Sequence, residues 1–254
     1  MTGFVDIHSH ILYGLDDGAP TREDSVAMLE LAARSGTADI VATPHANGRY
    51  TFDPDVVARQ IAELGAESPV HVHPGCDFRL QADNISDALA HPEKYTINHK
   101  CYLLVEFPHV SIFSEPARVL ARLLDGGIVP IVSHPERNAR LRGRLDDLAR
   151  WVEAGCYLQV TAGSYTGLFG RAAKATAYEL LDRGLTHFVA TDAHDTKMRT
   201  PSLLDAYTAL ADAYGEDVVR PLFVENPKAV LAGATVEIDV SPRGARRKWY
   251  QFWR

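Results

Sequence analysis

The sequence predicts an α/β protein, a distorted seven-stranded (βα)7 barrel of the TIM-like kind. Three observations carry this. Short apolar runs alternate with helical patterns along nearly the whole chain, and parallel strands need such crossovers. The runs are apolar on both faces, as in a buried parallel sheet. A length of 254 residues is ordinary for one barrel. An open doubly wound sheet is the alternative.

Phe4-Val5 opens the first strand, which runs into Asp6-Ile-His8-Ser-His10. Thr21-Arg-Glu-Asp24 is a capping-box variant, with Asp where Glu or Gln is usual. An apolar-periodic stretch follows and Gly36 can close it, so Thr21 to Ser35 reads as a helix. Asp39 to Thr43 is the second strand, ending in Pro44-His45. Asp53 caps a helix that Pro54 starts and that reaches about Leu64. Val70 to Pro74 is the third strand, followed by Gly75-Cys76-Asp77. Tyr102 to Val105 is the fourth, ending in Glu106, with a helix from Pro116 to Leu124. Ile128 to Ser133 is the fifth, running into His134-Pro-Glu-Arg137, with a helix from Leu145 to Ala154. Tyr157 to Thr161 is the sixth, with a helix from Ala172 to Arg183. His187 to Thr191 is the seventh, ending in Asp192-Ala-His194. A helix from Ser202 to Tyr214 follows, and a short one starts at Asn226-Pro227.

Composition narrows the class. A net charge of −7 argues against binding nucleic acid mainly through its phosphates. The apolar content of 46% supports a sizeable core. Three Cys without a Cys-x-x-Cys pair do not suggest a disulfide framework. No signal peptide and no bilayer-length apolar run are visible, so a cytoplasmic enzyme is expected.

The strand ends carry the chemistry. In extended backbone, residues i and i+2 share a side, so His8 and His10 aim two nitrogens at one point. The loop beyond carries Asp16-Asp17-Gly18. Later strands end in His45, Asp77, Glu106, His134, and Asp192 with His194. C-terminal ends of parallel strands converge on one mouth, where barrel active sites lie. Nitrogen and oxygen donors without thiolate suit Mn²⁺, Fe²⁺ or Zn²⁺ in a catalytic site, and this many argue for two or three ions. Each piece has a plainer reading. Asp16-Asp17-Gly18 can be a turn, Asp192 a helix cap, and a lone His-x-His two surface residues. His71-Val-His73 is read that way, because it lies inside a strand. The plain readings leave unexplained why all the others stand at the same end of the strands.

Taken in order, Asp6-Ile-His-Ser-His10, Asp16-Asp17-Gly18, Thr43-Pro-His45, Glu106, His134-Pro-Glu-Arg137 and Asp192-Ala-His194 resemble the polymerase and histidinol phosphatase (PHP) superfamily. The closer likeness is to bacterial manganese-dependent protein-tyrosine phosphatases of capsule and exopolysaccharide synthesis. It runs from Phe4 to about Leu231, and the family fold is a distorted seven-stranded βα barrel. The resemblance implies a trinuclear site: His8, His10 and Asp192 on one ion, with Asp77 bridging; Glu106 and His134 on a second; Asp17, His45 and His194 on a third. It implies Arg137 and Arg199 as the groups that grip phosphate. The family usually has Glu where this chain has Asp77; with the shorter arm either the backbone comes closer, which Gly75 permits, or Asp77 binds only one of the ions.

Such a site generates a nucleophilic water between metal ions at neutral pH, and the guanidinium groups neutralise phosphoryl oxygens. Tyrosinate, with a parent pKa of about 10, needs little acid help. A thiol mechanism needs Arg six residues after Cys; after Cys76, Cys101 and Cys156 that place holds Ala82, Phe107 and Ala162. The rival substrate is a small metabolite such as histidinol phosphate. A non-catalytic binding module is opposed by donors at every metal position. The resemblance also implies a polysaccharide-export tyrosine kinase as partner. Residues 1–240 are expected to form the phosphatase domain and 241–254 a basic, aromatic tail. From Arg243 to Arg254 it has five basic residues, no acidic ones, and Trp249, Tyr250, Phe252 and Trp253. That mix suits the anionic inner face of a membrane, or docking on the barrel or a neighbouring subunit.

Overall fold

A computed structural model describes residues 3–108 and 115–237. The tail expectation, on 241–254, lies outside these. Among the described residues no helix is long and apolar enough to cross a membrane.

The described residues form nine strands in two parallel sheets where the sequence predicts seven in one barrel. The first sheet has the order β1 (Phe4–Ser9), β2 (Thr37–Ala42), β4 (His71–Pro74). The second has the order β3 (His45–Ala46), β5 (Asp77–Arg79), β6 (Tyr102–Glu106), β7 (Val129–Ser133), β8 (Tyr157–Thr161), β9 (Phe188–Ala190). The extra strands come from two interruptions. Pro44 has no N–H to give the ladder, and β2 stops before it. Gly75-Cys76 interrupts the neighbouring path at the same level. The pairing resumes beyond in the same register: Ala42 opposes Pro74, and three residues on His45 opposes Asp77. The chain therefore follows seven strand paths, two of them broken. The outer strands of the two sheets also meet. Ser9 bridges to Ala193, the Asp192 N–H donates to the His8 carbonyl at 2.8 Å, and the His10 N–H to the Ala193 carbonyl at 2.8 Å.

The crossovers are helical. The predicted ones form as α1 (Arg22–Arg34), α2 (Pro54–Gly65), α4 (Pro116–Asp125), α5 (Leu145–Glu153), α7 (Gly170–Asp182), α8 (Leu204–Tyr214) and α10 (Asn226–Ala232). Thr21 Oγ1 accepts the Asp24 N–H at 3.2 Å and donates to Asp24 Oδ2 at 2.7 Å, so Thr21 caps α1, while the short Asp24 carboxylate meets the hydroxyl in place of the reciprocal backbone bond of a capping box. Asp53 caps α2 through the Asp55 and Val56 N–H groups. The sequence reading misses α3 (Ala82–Ala90), α6 (Ala162–Thr166), α9 (Glu216–Arg220) and a π-helical turn at Pro221–Glu225. The α3 start is blurred because Gln81 makes no side-chain cap. The others are too short to show a period.

The core follows the alternation of the strands. Tyr102 and Leu104 precede Glu106 in phase, Tyr157 precedes Gln159, and Phe188 with Ala190 precedes Asp192. These five apolar residues share one cluster with Val230 and Leu231. The alternate residues Leu103, Val105, Leu158, Val160 and Val189 belong to the larger cluster shared with the helices. The polar residues thus continue one apolar face at its C-terminal end. Tyr102 and Tyr157 donate to the carbonyls of Ala234 and Val236, at 2.7 and 2.8 Å, fixing the segment after α10 to this cluster.

Two glycines let backbones approach. A Cβ on Gly75 would lie 2.6 Å from Val41 Cγ1 and 3.2 Å from Thr43 Cγ2, so only a bare residue lets the Asp77 segment close on β2. A Cβ on Gly18 would overlap the His10 carbonyl oxygen and lie 2.5 Å from His10 Cβ. Gly18→Ala is expected to lower stability by about 2 kcal/mol or more, since overpacking a tight contact costs about 1–3 kcal/mol. Urea unfolding with an unchanged midpoint would show that the turn opens freely.

Candidate metal centre

Six of the seven strand paths contribute a donor at or near their ends; β8 contributes none. β1 carries His8, and His10 follows it; the next loop supplies Asp16 and Asp17. His45 opens β3, Asp77 opens β5, and Glu106 ends β6. His134 follows β7, and Asp192 and His194 follow β9. His134 and Asp192 have φ of +34° and +52°, the left-handed region that residues with a Cβ seldom adopt. Such backbone costs about 1–3 kcal/mol and persists where its surroundings enforce it. Here the bond from the Asp192 N–H to the His8 carbonyl does so.

These residues converge. His8 Nε2 and His10 Nε2 are each 3.3 Å from Asp192 Oδ1 and 3.3 Å from one another. His45 Nε2 and His194 Nε2 lie 3.3 and 3.5 Å from Asp17 Oδ1. Asp77 Oδ2 lies 3.0 Å from His45 Nδ1 and 3.8 Å from His8 Nε2. All nine donors singled out in the sequence fall into four overlapping groups able to hold a cation: His8, His10 and Asp192; His10, Asp17, His45 and His194; His8, Asp77 and His134; His45, Asp77 and Glu106. The grouping differs from the implied one: Asp77 is absent from the group of His8, His10 and Asp192, and His10 also joins Asp17, His45 and His194. Glu106 and His134 stand in separate groups, each completed by Asp77.

Two groups behind the donors orient them. Gln159 Oε1 accepts from His8 Nδ1 at 3.0 Å and Asp16 Oδ2 from His10 Nδ1 at 2.6 Å. Both imidazoles thereby turn Nε2 inward, as partners behind a metal-binding His do. Burial holds the His8 and His134 imidazoles below their usual range, so they are neutral and able to donate a lone pair. Burial acts on His10 and His45 too but is outweighed: Asp16 raises His10 to about 9, and Asp17 with Asp77 raise His45 to about 11. Burial, then the Asp77 charge, pushes Glu106 up to about 7.

The set fits a cation better than it fits itself. Both Asp77 carboxylate oxygens are buried without a hydrogen bond, the 3.0 Å approach of His45 included. An unsatisfied buried carboxylate is costly, and such an orphan among inward-facing imidazoles marks an ion's place.

The donors open onto a cleft of about 290 Å³, also lined by Asn47, Arg49, Tyr50, Arg79, Arg137 and Arg199. Arg137 and Arg199 reach the same atom, Asp192 Oδ2, Arg199 through Nη2 at 2.5 Å. The Arg199 ion pair is not a surface one, since its partner is a buried residue of the cluster. His71 and His73 stand apart from it: His73 Nε2 meets Asp39 at 2.9 Å, inside the first sheet. Burial pushes the Cys76 thiol well up and that of Cys156 to about 12, which suits neither to nucleophilic work.

The family model for capsular polysaccharide synthesis, CpsB/CapC, matches residues 4–232. The chain belongs to this family. Tyrosine-protein phosphatase YwqE of Bacillus subtilis is 35% identical, over 98% of this chain and 100% of the relative. Tyrosine-protein phosphatase CpsB of Streptococcus pneumoniae is 31% identical, over 89% and 98%. Among solved structures, a chain from the work on YwqE and CpsB, described as metal-dependent tyrosine phosphatases, aligns with a TM-score of 0.87. It is 33% identical, over 95% of this chain and 100% of its own length. The phosphotriesterase homology protein of Escherichia coli, at 12% identity, TM-score 0.60 and coverage of 89% and 97%, shares the fold alone.

Sequence reasoning misses three supports of this CpsB/CapC centre. Gln159 carries no signal, being one polar residue in an apolar strand. Asp6 was only part of a motif; it accepts from the Thr191 N–H and hydroxyl at 3.1 and 2.5 Å, tying the strand before Asp192 to β1. Arg79 pairs with Glu106 through Nη2 at 3.0 Å; its place two residues after Asp77 was the available hint.

Two outcomes are expected. Asp77→Asn loses the anionic charge shared by two donor groups, so equilibrium dialysis should show fewer bound metal equivalents. Unchanged stoichiometry and affinity would remove Asp77 from the ligands. Gln159→Leu frees the His8 ring and should weaken metal binding about 10–100-fold; titration at wild-type affinity would make Gln159 a packing residue.

Proposed function

We propose that the protein is a manganese-dependent protein-tyrosine phosphatase, a phosphoric monoester hydrolase that acts on phosphotyrosine in a polypeptide. The observation that carries this is the set of four overlapping donor groups under one cleft, with two guanidinium groups meeting at Asp192. The tyrosine phosphatase names of the relatives favour phosphotyrosine over a small metabolite such as histidinol phosphate. Capsule or exopolysaccharide synthesis is the setting the family supplies.

The resemblance would put His8, His10 and Asp192 on one ion, Asp17, His45 and His194 on another, and Glu106 and His134 on a third, although here Asp77 stands with each of the last two residues in a separate group. Two or three ions fit this reading, Mn²⁺ before Fe or Zn on the donor chemistry. The membership of Asp77 in two groups supports its role as the shared carboxylate. Bound cations would supply charge against the phosphoryl oxygens and a deprotonated water at neutral pH. Arg137 and Arg199 offer planar N–H donors at the cleft, the geometry that recognises phosphate oxygens. The Phe169 ring, 4.1 Å beneath the Arg137 guanidinium, holds that side chain in plane. Tyr50 stacks on His45 with ring centroids 5.8 Å apart and walls the cleft opposite.

Further parts of the reading rest on the resemblance. The partner is a polysaccharide-export tyrosine kinase, met in the cytoplasm at the inner face of the membrane. The seven strand paths, joined through Ser9 and Ala193, are read as one distorted barrel of the PHP type. The family match over 4–232 supports one catalytic domain over 1–240, with 241–254 a separate tail.

The test is hydrolysis of a phosphotyrosyl peptide by purified protein. Prolonged chelation should abolish the activity, with Mn²⁺ restoring it best among divalent ions. Full activity in excess chelator would sink the reading.

A further inference from the structure

We infer that the groove between Leu168 and Met198 seats an apolar side chain flanking the phosphotyrosine of the substrate polypeptide. This rests on the phosphatase reading above and names what that site selects.

Three large hydrophobic side chains are exposed among the described residues: Leu168 at 43%, Leu204 at 46% and Met198 at 68%. Two of the three, Leu168 and Met198, line a single groove of about 190 Å³. The same groove takes in Thr191 and Arg199, and Arg199 also lines the metal-donor cleft. Two exposed apolar side chains therefore stand beside Arg199, in a groove that Thr166, Thr191, Thr200, Ser202 and Asp205 also line.

Both side chains are presented on well-bonded turns. The Leu168 N–H donates to the Gly163 carbonyl at 2.8 Å, with Gly167 at φ +100°. A Cβ on Gly163 would lie 3.0 Å from Leu168 Cδ2 and 3.1 Å from Phe169 Cε2, so the missing side chain lets this turn close. One turn thus aims Phe169 at Arg137 and offers Leu168 to the groove. Across from it, Asp195 Oδ1 accepts the N–H groups of Lys197 and Met198, each at 2.6 Å. The Arg199 carbonyl accepts from His194 and Asp195. Ordering these turns costs nothing further on binding, which favours affinity.

The occupant follows from position and chemistry. Because Arg199 lines both cleft and groove, a polypeptide whose phosphotyrosine lies in the cleft has this groove directly beside it. Leu168 and Met198 favour an apolar neighbour there, and Met adapts to its shape. Asp205 at the groove edge disfavours an acidic one.

The test compares three substrates: a phosphotyrosyl peptide flanked by Leu, the same peptide flanked by Ser, and free phosphotyrosine. The wild type should show a KM about tenfold lower for the Leu peptide than for the Ser peptide, about 1.4 kcal/mol. The double variant Leu168→Ser, Met198→Ser should lose that preference while kcat on free phosphotyrosine stays within about twofold. The swap Leu168→Met, Met198→Leu should keep it. A preference surviving in the serine variant overturns the inference, as does its loss in the swap. So does loss of free-phosphotyrosine turnover in the serine variant, since the groove would then serve the chemistry. A wild type inert toward all three substrates is a different result, and removes the phosphatase reading itself.

Discussion

The Asp192 carboxylate is the point on which the rest of the structure depends. One oxygen faces His8 and His10, contributed by the first strand path; the other takes both Arg137 and Arg199. Its backbone N–H is bonded to His8, and Asp6 fixes the residue before it. A carboxylate buried this deeply is held ionised against the effect of burial by its contacts with His8, His10 and the two guanidinium groups. It is therefore a charge, a hydrogen-bond acceptor and a seam between chain ends at once. Strain at its φ of +52° persists because these contacts enforce the conformation.

Around that carboxylate the protein gathers groups that only partly satisfy one another. Imidazole nitrogens face one another at hydrogen-bond distance, and Asp77 keeps two buried oxygens unsatisfied. A fold selected only for stability would replace such a cluster with apolar packing. What offsets its cost is a cation, whose binding free energy adds to folding. The polar cluster also sits on a rigid base: in-phase residues beneath it are apolar and shared with α10. Precision at the donors comes from this base and from Gln159 and Asp16 behind the rings. The cleft mouth differs in kind, being built on loops, where Leu168 and Met198 can vary without disturbing the donors.

Much of this was legible in the chain because strand periodicity and strand ends are local. His8 and His10 share a side at spacing two, every later donor falls at the end of an apolar run, and caps such as Thr21 and Asp53 announce helices. The nine donors, the strand–helix alternation, the decoy status of His71 and His73, and the close approach at Gly75 were all readable from it. The sequence by itself determined which residues could hold a cation and at which end of the strands they stand. Only the tertiary structure decided how they combine. Pro44 and Gly75-Cys76 divide two strand paths between two sheets without changing register. Asp77 rather than Glu106 is common to the groups of His134 and His45. Gln159 becomes the partner of His8, although 151 residues separate them. The physical reason is that each of these depends on distances between segments remote in sequence, and a one-dimensional pattern records only the local ones.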